Sequence, residues 1–124
     1  MQDKVNMVLR LLLGLIFAVF GANKLVTFLP SPEFSTDAMN FFGALASSGY
    51  FLKLLGIVEV ASGLMLLTNR FTALALTMLA PVTINIFLFH VFLAPSGLVL
   101  AIIVIGLNAY LAYVNRDKFS AVLS

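Results

Sequence analysis

Apolar residues fill four long stretches of the chain, and only short polar or turn-forming segments interrupt them. Because a helix rises about 1.5 Å per residue, roughly 20 apolar residues cross the hydrocarbon core of a bilayer. The pattern predicts four membrane-spanning helices, at about 5–29, 50–68, 71–94 and 95–114. The breaks at 69–70 and 95–97 are so short that consecutive spans must run antiparallel. We therefore predict an all-α fold, an integral membrane antiparallel four-helix bundle that residues 1–124 form as a single domain.

The first span lies near the start of the sequence, so a cleaved signal peptide is the alternative interpretation of this stretch. A signal peptide ends in a small-x-small cleavage site after its apolar core. Phe20 and Ala22 do not supply such a site. We therefore expect the first span to be retained as a membrane helix.

The connection between the first two spans is long for a helical bundle and contains several large apolar residues. Ser35 or Thr36 is suited to cap a short helix, and Gly49 is suited to end it. We predict this helix at about 36–47. In one interpretation this helix lies along the outer membrane interface. The alternative is a loop that folds back over the bundle as a lid, and the sequence leaves both open.

The distribution of basic residues predicts the orientation in the membrane, because cytoplasmic flanks carry an excess of lysine and arginine. Lys24 and Lys53 fall near one side of the bilayer. The opposite side carries the other five basic residues: Lys4, Arg10, Arg70, Arg116 and Lys118. We interpret Arg10 and Arg70 as anchors on the cytoplasmic side, where Arg10 reaches the head groups from about 10 Å off the bilayer centre. Both termini are therefore predicted to be cytoplasmic.

Glu59 is the residue that most needs an explanation, because it lies at the centre of the second span. Placing an ionisable group there costs roughly 2.5 to 3.5 kcal/mol on insertion scales and usually marks function. In one interpretation the carboxylate is an interhelical tie to Asn85 or Lys24. In the other it binds a proton or a ligand, and its charge at rest stays open. We favour the second interpretation because intramembrane carboxylates are rare.

Other polar side chains fall at a similar depth on the outer side. By helical rise, Asn85 lies about 4 Å from the bilayer centre, and Lys24, Lys53 and His90 lie roughly 9 to 11 Å from it. Taken alone, His90 is better explained by a hydrogen bond to water or to a backbone carbonyl than by ligand binding. Taken together with Glu59, these residues predict a shared polar pocket that opens to the outer leaflet.

Helical spacing adds two packing features. Gly14 and Gly21 share one face of the first span, and Gly56 and Gly63 share one face of the second. Glycines on such faces let neighbouring backbones approach closely, so we read them as packing positions. In the third span Pro81 cannot donate to the carbonyl one turn earlier, which predicts a kink and a carbonyl that needs another donor.

Composition removes several classes of function. The chain is 62% hydrophobic and 10% charged, and its net charge of +2 is not gathered in one stripe, so neither a soluble domain nor a nucleic-acid-binding protein fits. Without cysteine there is no disulfide, thiol catalysis or iron–sulfur ligation. A single histidine excludes bis-histidine haem within the chain, and no metal site is predicted. Redox chemistry would require a bound molecule or a partner.

Three segments place polar residues at characteristic positions within apolar helices. They are RLLLGLIFAVFGANKL at 10–25, ALASSGYFLKLLGIVEVASGLMLLTNR at 44–70 and APVTINIFLFHVFLAP at 80–95, with a Pro-Ser-Pro at 30–32. In this order they resemble the DoxX-like family of small four-helix membrane proteins. The resemblance covers nearly the whole chain, and its Asn-Lys, Gly-Tyr, Glu, Arg and Pro-Asn-His elements are specific when taken together.

The resemblance implies a protein of the bacterial-type inner membrane, with relatives linked to quinone-coupled oxidation of sulfur compounds or to redox-stress complexes. The polar positions that this chain shares with the family pattern are Asn23, Lys24, Glu59, Arg70, Asn85 and His90. This sequence has no cysteine and no soluble thiosulfate-handling region, so autonomous sulfur oxidation is not expected.

Two functions from different classes follow. The first is an accessory subunit that binds a quinone or a lipid head group in the polar pocket and supports a redox or membrane complex without catalysis of its own. The second is a structural or assembly subunit that docks onto a larger complex or onto a copy of itself. Proton-coupled transport through Glu59 is a third and weaker possibility. The sequence shows neither a pair of broken helices nor two halves that repeat each other, which are typical of transporters.

The orientation is testable with a reporter at either terminus. Five of the seven basic residues flank the same side of the spans, so we expect both termini to lie in the cytoplasm. Green fluorescent protein fused to either end should then fluoresce, and alkaline phosphatase fused there should be inactive. The activities of these two fusions depend on location, so together they measure the orientation. Alkaline phosphatase activity at either terminus would contradict the predicted orientation.

Overall fold

The computed structural model describes residues 2–26 and 35–119, which form an antiparallel bundle of α-helices. The helices are α1 (Gln2–Leu25), α2 (Thr36–Ser47), α3 (Phe51–Thr68), α4 (Thr72–Phe92) and α5 (Leu98–Val114), with short 3-10 turns at Pro95–Gly97 and Arg116–Phe119. Four helical segments are long and apolar enough to cross a membrane: α1, α3, α4, and α5 together with the turn before it. The predicted all-α fold with four membrane-spanning helices is confirmed.

The first helix differs from its predicted bounds at both ends. It begins at Gln2 instead of residue 5, because the Gln2 amide donates to Asn6 Oδ1 at 3.2 Å and Asp3 lies favourably in the first turn. It ends at Leu25. The predicted continuation through 27–29 lies outside the described residues.

The ends of α4 also differ slightly from the prediction. Phe71 was predicted to be helical, but its φ of 55° puts it in the left-handed region, so α4 begins at Thr72. At the other end Ala94 precedes a proline, which disfavours helical dihedrals, and the helix has already ended at Phe92. The helices α4 and α5 are therefore separated by a short irregular segment and a 3-10 turn.

A tight turn joins α3 to α4 and makes them antiparallel. Asn69 has a φ of 55°, and its N–H donates to the Leu66 carbonyl at 3.3 Å, while the Arg70 N–H donates to Met65 at 3.0 Å. This is the Schellman arrangement, which satisfies carbonyls at the end of a helix. The Asn69 side chain then accepts a hydrogen bond of 3.0 Å from the Thr72 hydroxyl, so one residue both ends α3 and fixes the start of α4.

The closest helix contact in the bundle joins α1 and α3. Their backbones touch at glycines: a Cβ added to Gly63 would lie 2.6 Å from the Ala18 nitrogen, and one added to Gly21 would lie 2.9 Å from the Gly56 carbonyl oxygen. Gly14 faces Gly63 while Gly21 faces Gly56, so the two helices run antiparallel. The glycine pattern of the sequence is therefore a packing pattern, as predicted.

The apolar core lies in the half of the bundle that contains the chain termini. All four spanning helices contribute to it, through Leu13, Phe17, Leu66, Ala75, Leu76, Leu79, Val104 and Leu111. A smaller apolar cluster lies at the other end of the bundle, which we call the α2 end. There Ala38 of α2 packs against Phe89 and Ala94. The bundle thus has a tightly packed half and a half that α2 partly covers.

The glycine contact predicts a large difference between two otherwise similar substitutions. Gly63→Ala forces a methyl group into the Ala18 backbone, so we expect it to lower the free energy of unfolding by about 1 to 3 kcal/mol. Gly106→Ala is the matched control, because nothing lies within 4 Å of its added Cβ, and it should change stability by less than about 1 kcal/mol. Unfolding in detergent micelles measures both, and equal effects would contradict the assigned contact.

Candidate functional site

Glu59 forms an ion pair with Lys24 between α1 and α3. The Lys24 ammonium donates to Glu59 Oε1 at 2.7 Å, and the Glu59 side chain is only 2% exposed whereas that of Lys24 is 23% exposed. Each residue lies one turn beyond a contact glycine, Gly21 on α1 and Gly56 on α3, so the close backbone approach brings the two groups together. Of the two ties that the sequence left open for Glu59, the structure contains the one to Lys24.

A second cation holds the other end of the same interface. The Arg10 guanidinium donates to the carbonyl oxygen of Leu66, in the last turn of α3. The last carbonyl groups of a helix have no N–H group one turn later in the helix to bond, and they form the negative end of the helix dipole. Arg10 is half-buried, so besides reaching toward head groups it binds α3 directly. Arg70 is exposed at the turn between α3 and α4.

The short helix α2 folds back over the end of α4. Ser35 accepts a hydrogen bond from the Ala38 N–H at 3.3 Å, as a capping residue does, and donates to the Leu93 carbonyl at 2.7 Å. The rings of Phe41 and Phe42 lie 5.7 and 4.9 Å from the ring of Phe89. The observed range of α2 matches the predicted one. The segment is therefore helical, as one interpretation predicts, and it folds back over the bundle, as the lid alternative predicts of a loop.

Beneath α2 lies a groove of about 360 Å³ between α2, α3 and α4. It is lined by Phe41, Leu45, Phe51, Leu55, Pro81, Val82, Asn85 and Ile86. Of these lining residues, Asn85 alone carries a polar side chain. Asn85 is exposed, and its amide has no hydrogen-bond partner within residues 2–26 and 35–119. An apolar molecule with a hydrogen-bonding group therefore fits the chemistry of this groove.

His90 is held at the α2 end by the backbone. Its Nδ1 lies 2.9 Å from the Ala94 carbonyl, and because a carbonyl only accepts, Nδ1 is the donor in this hydrogen bond. The ring packs edge-on against Phe89 at 5.1 Å and rests on Gly97, where an added Cβ would overlap it. This contact with a backbone carbonyl is the simpler of the two roles considered for His90.

The polar residues predicted to share one pocket lie in separate places. Lys24 and Glu59 form an ion pair, and neither lines the groove that contains Asn85. His90 lies against the turn before α5, and Lys53 is exposed on α3. Asn23 is half-buried and takes part in an interaction of its own. The candidate site is therefore the groove at Asn85, and the ion pair is a separate feature.

Four buried polar side chains were not singled out from the sequence: Ser62, Thr72, Thr83 and Asn108. Ser62 and Asn108 are buried, and within the described part of the chain Ser62 Oγ and Asn108 Nδ2 have no hydrogen-bond partner. Both lie inside apolar spans, so the same signal that marks Glu59 was present for them. Across the described ranges, no three His, Cys, Asp or Glu side chains lie close enough to hold a metal ion.

The ion pair predicts a thermodynamic cycle. Lys24→Met leaves the buried carboxylate without its counter-charge, so we expect a loss of stability of about 3 kcal/mol. Glu59→Gln should cost less, because Lys24 is partly exposed and its flexible side chain can reach the head groups. In the double variant most of the loss should disappear. Unfolding free energies of the four proteins measure the coupling, and additive effects would show that the pair does not hold the interface.

Comparison with known proteins agrees with the resemblance read from the sequence. The family model described as DoxX matches residues 5–91, which include most of α1, all of α2 and α3, and nearly all of α4. No curated protein and no solved structure matches the chain. With its four apolar helices and this match over most of its length, the chain is a multi-pass membrane protein that belongs to the DoxX family.

Proposed function

We propose that this protein is a non-catalytic accessory subunit of the inner membrane that binds a quinone or a lipid in the groove at Asn85 and supports a redox or membrane complex. The observation that carries the proposal is the exposed amide of Asn85 in an otherwise apolar groove. With both termini in the cytoplasm, this groove faces the outer half of the bilayer.

The amide needs a partner because of where it lies. An unsatisfied polar group in hydrocarbon costs several kcal/mol, since lipid tails offer no hydrogen bond. A carbonyl or hydroxyl on a bound molecule would restore that hydrogen bond. The groove volume of about 360 Å³ falls in the range of small-molecule sites, which are mostly apolar with few polar groups. The rings of Phe41 and Phe51 add flat apolar surface for such a molecule.

The ion pair is assigned a different task. Glu59 is 1% exposed and accepts its hydrogen bond from Lys24, so it is not available to a molecule in the groove. We assign the pair to holding α1 against α3. This changes the favoured interpretation of Glu59 from ligand binding to an interhelical tie, and it also weakens the case for proton-coupled transport through this carboxylate.

Assembly is the second candidate, and one observation favours it. The Asn85 amide is both a donor and an acceptor on the lipid-facing side of α4, so a polar residue of another helix would satisfy it as well as a small molecule does. In that case the protein docks onto a larger complex or onto a copy of itself. The two candidates differ in what accompanies the purified protein.

Gentle purification in native lipid particles, followed by mass spectrometry of the bound molecules, tests the proposal. We expect a quinone or a particular lipid to be enriched over the bulk membrane, and Asn85→Leu to reduce this enrichment up to about tenfold, because one hydrogen bond contributes about 1 kcal/mol. Leu88→Ala is the control, since Leu88 is exposed on the same helix but does not line the groove.

Three outcomes distinguish the candidates. Loss of the molecule in Asn85→Leu but not in Leu88→Ala supports binding in the groove. A protein partner without any enriched small molecule, lost in Asn85→Leu, supports assembly instead. An enriched molecule that both variants retain would show that it binds elsewhere on the surface.

A further inference from the structure

Pro81 creates a second hydrogen-bonding group beside the groove. A proline has no N–H, so within α4 it cannot donate to the Thr77 carbonyl one turn earlier. The Thr77 hydroxyl does not compensate, because it donates to the Ala73 carbonyl at 2.8 Å. Nor does any side chain in residues 2–26 or 35–119 donate to the Thr77 carbonyl. This carbonyl therefore lacks its usual helical donor, and no side chain of the described residues replaces it.

The position of this acceptor is set by helix geometry. Carbonyl groups of an α-helix point toward its C-terminal end, so the Thr77 oxygen points at Pro81, which lines the groove. Asn85 follows one turn later and lines the same groove. Its Cα–Cβ bond leans back toward the start of the helix, as every such bond in a helix does. The carbonyl and the amide thus lie on either side of Pro81, along one side of α4.

The Thr77 carbonyl and the Asn85 amide differ in the hydrogen bonds that they can form. The Asn85 amide both donates and accepts, whereas the Thr77 carbonyl only accepts. A ligand carbonyl or ether oxygen can accept a hydrogen bond from the amide, but it cannot donate one to the backbone carbonyl. A ligand hydroxyl donates a hydrogen bond and also accepts one. At this depth bulk water is not present to supply the missing donor.

We propose that the groove selects apolar molecules that carry a hydroxyl group, which donates to the Thr77 carbonyl beside Pro81, over their carbonyl or ether counterparts. This inference rests on the proposed function, because it assigns a ligand class to the same groove. A hydroquinone and a lipid with a free glycerol hydroxyl share this chemistry. A quinone and a methyl ether lack the donor.

Matched probe pairs test the selection in purified protein reconstituted into nanodiscs. One pair is a short-chain hydroquinone and its dimethyl ether, kept anaerobic, and the other is a diacylglycerol and its methyl ether. We expect the wild-type protein to bind the hydroxyl member of one pair about five- to tenfold more tightly, the range that one hydrogen bond provides. The pair that shows this preference identifies the source of the ligand.

The variant Pro81→Ala supplies the discriminating measurement. Alanine restores the N–H that donates to Thr77, and it favours a helix more than proline does, so the protein should fold. The preference for the hydroxyl member should then fall to about twofold or less, because the acceptor is already occupied. Pro95→Ala is the control, since Pro95 lies in the turn before α5 and does not line the groove.

Each outcome has a definite meaning. If the wild-type protein binds neither pair, both this inference and binding in the groove are wrong. If it binds both members of a pair equally, the groove is a binding site but the selection for a hydroxyl is wrong. If the preference exists and survives Pro81→Ala, the Thr77 carbonyl is not the acceptor and this inference is again wrong.

Discussion

Close contact between the backbones of α1 and α3 is the constraint on which the rest of the bundle depends. Lipid tails are as apolar as leucine, so membrane helices associate through packing and hydrogen bonds, and not through exclusion from water. Gly21 and Gly56 bring the two backbones together. At that distance the Lys24 ammonium reaches Glu59, a carboxylate that would otherwise be buried without a counter-charge. The glycines and the ion pair therefore depend on each other.

This use of Lys24 and Glu59 determines what is left for binding. Once the pair is closed between α1 and α3, neither residue lines the groove on the other side of α3. That groove exists because α2 returns over α4, held by Ser35 and by the aromatic contacts of Phe89. The one polar side chain among its lining residues is Asn85, which comes from α4. The bundle thus separates a structural polar site from a candidate binding site.

The sequence predicts the parts that depend on one helix at a time. Apolar runs predict the spans, Ser35 and Gly49 predict α2, and the glycine spacing predicts close packing. It does not predict which polar groups meet, because helical rise gives the depth of a residue but not its direction around the bundle. Glu59 and Asn85 have similar depths, yet they face different neighbours. The groove was also beyond prediction, since three separate helices must pack before it exists.

Pro81 links a feature of a single helix to the groove that forms when the helices pack. A proline in the middle of a membrane helix removes a backbone hydrogen bond where lipid offers no replacement, so the freed carbonyl must find a donor in protein, trapped water or a bound molecule. In this chain that carbonyl points at Pro81, which lines the groove, and Thr77 lies two turns before the exposed Asn85. Hydrogen-bonding groups without a partner are costly in hydrocarbon, and within the described residues no side chain bonds either of these two groups on α4. A ligand that satisfies both removes this cost, and so the stability of α4 and the occupancy of the groove are coupled.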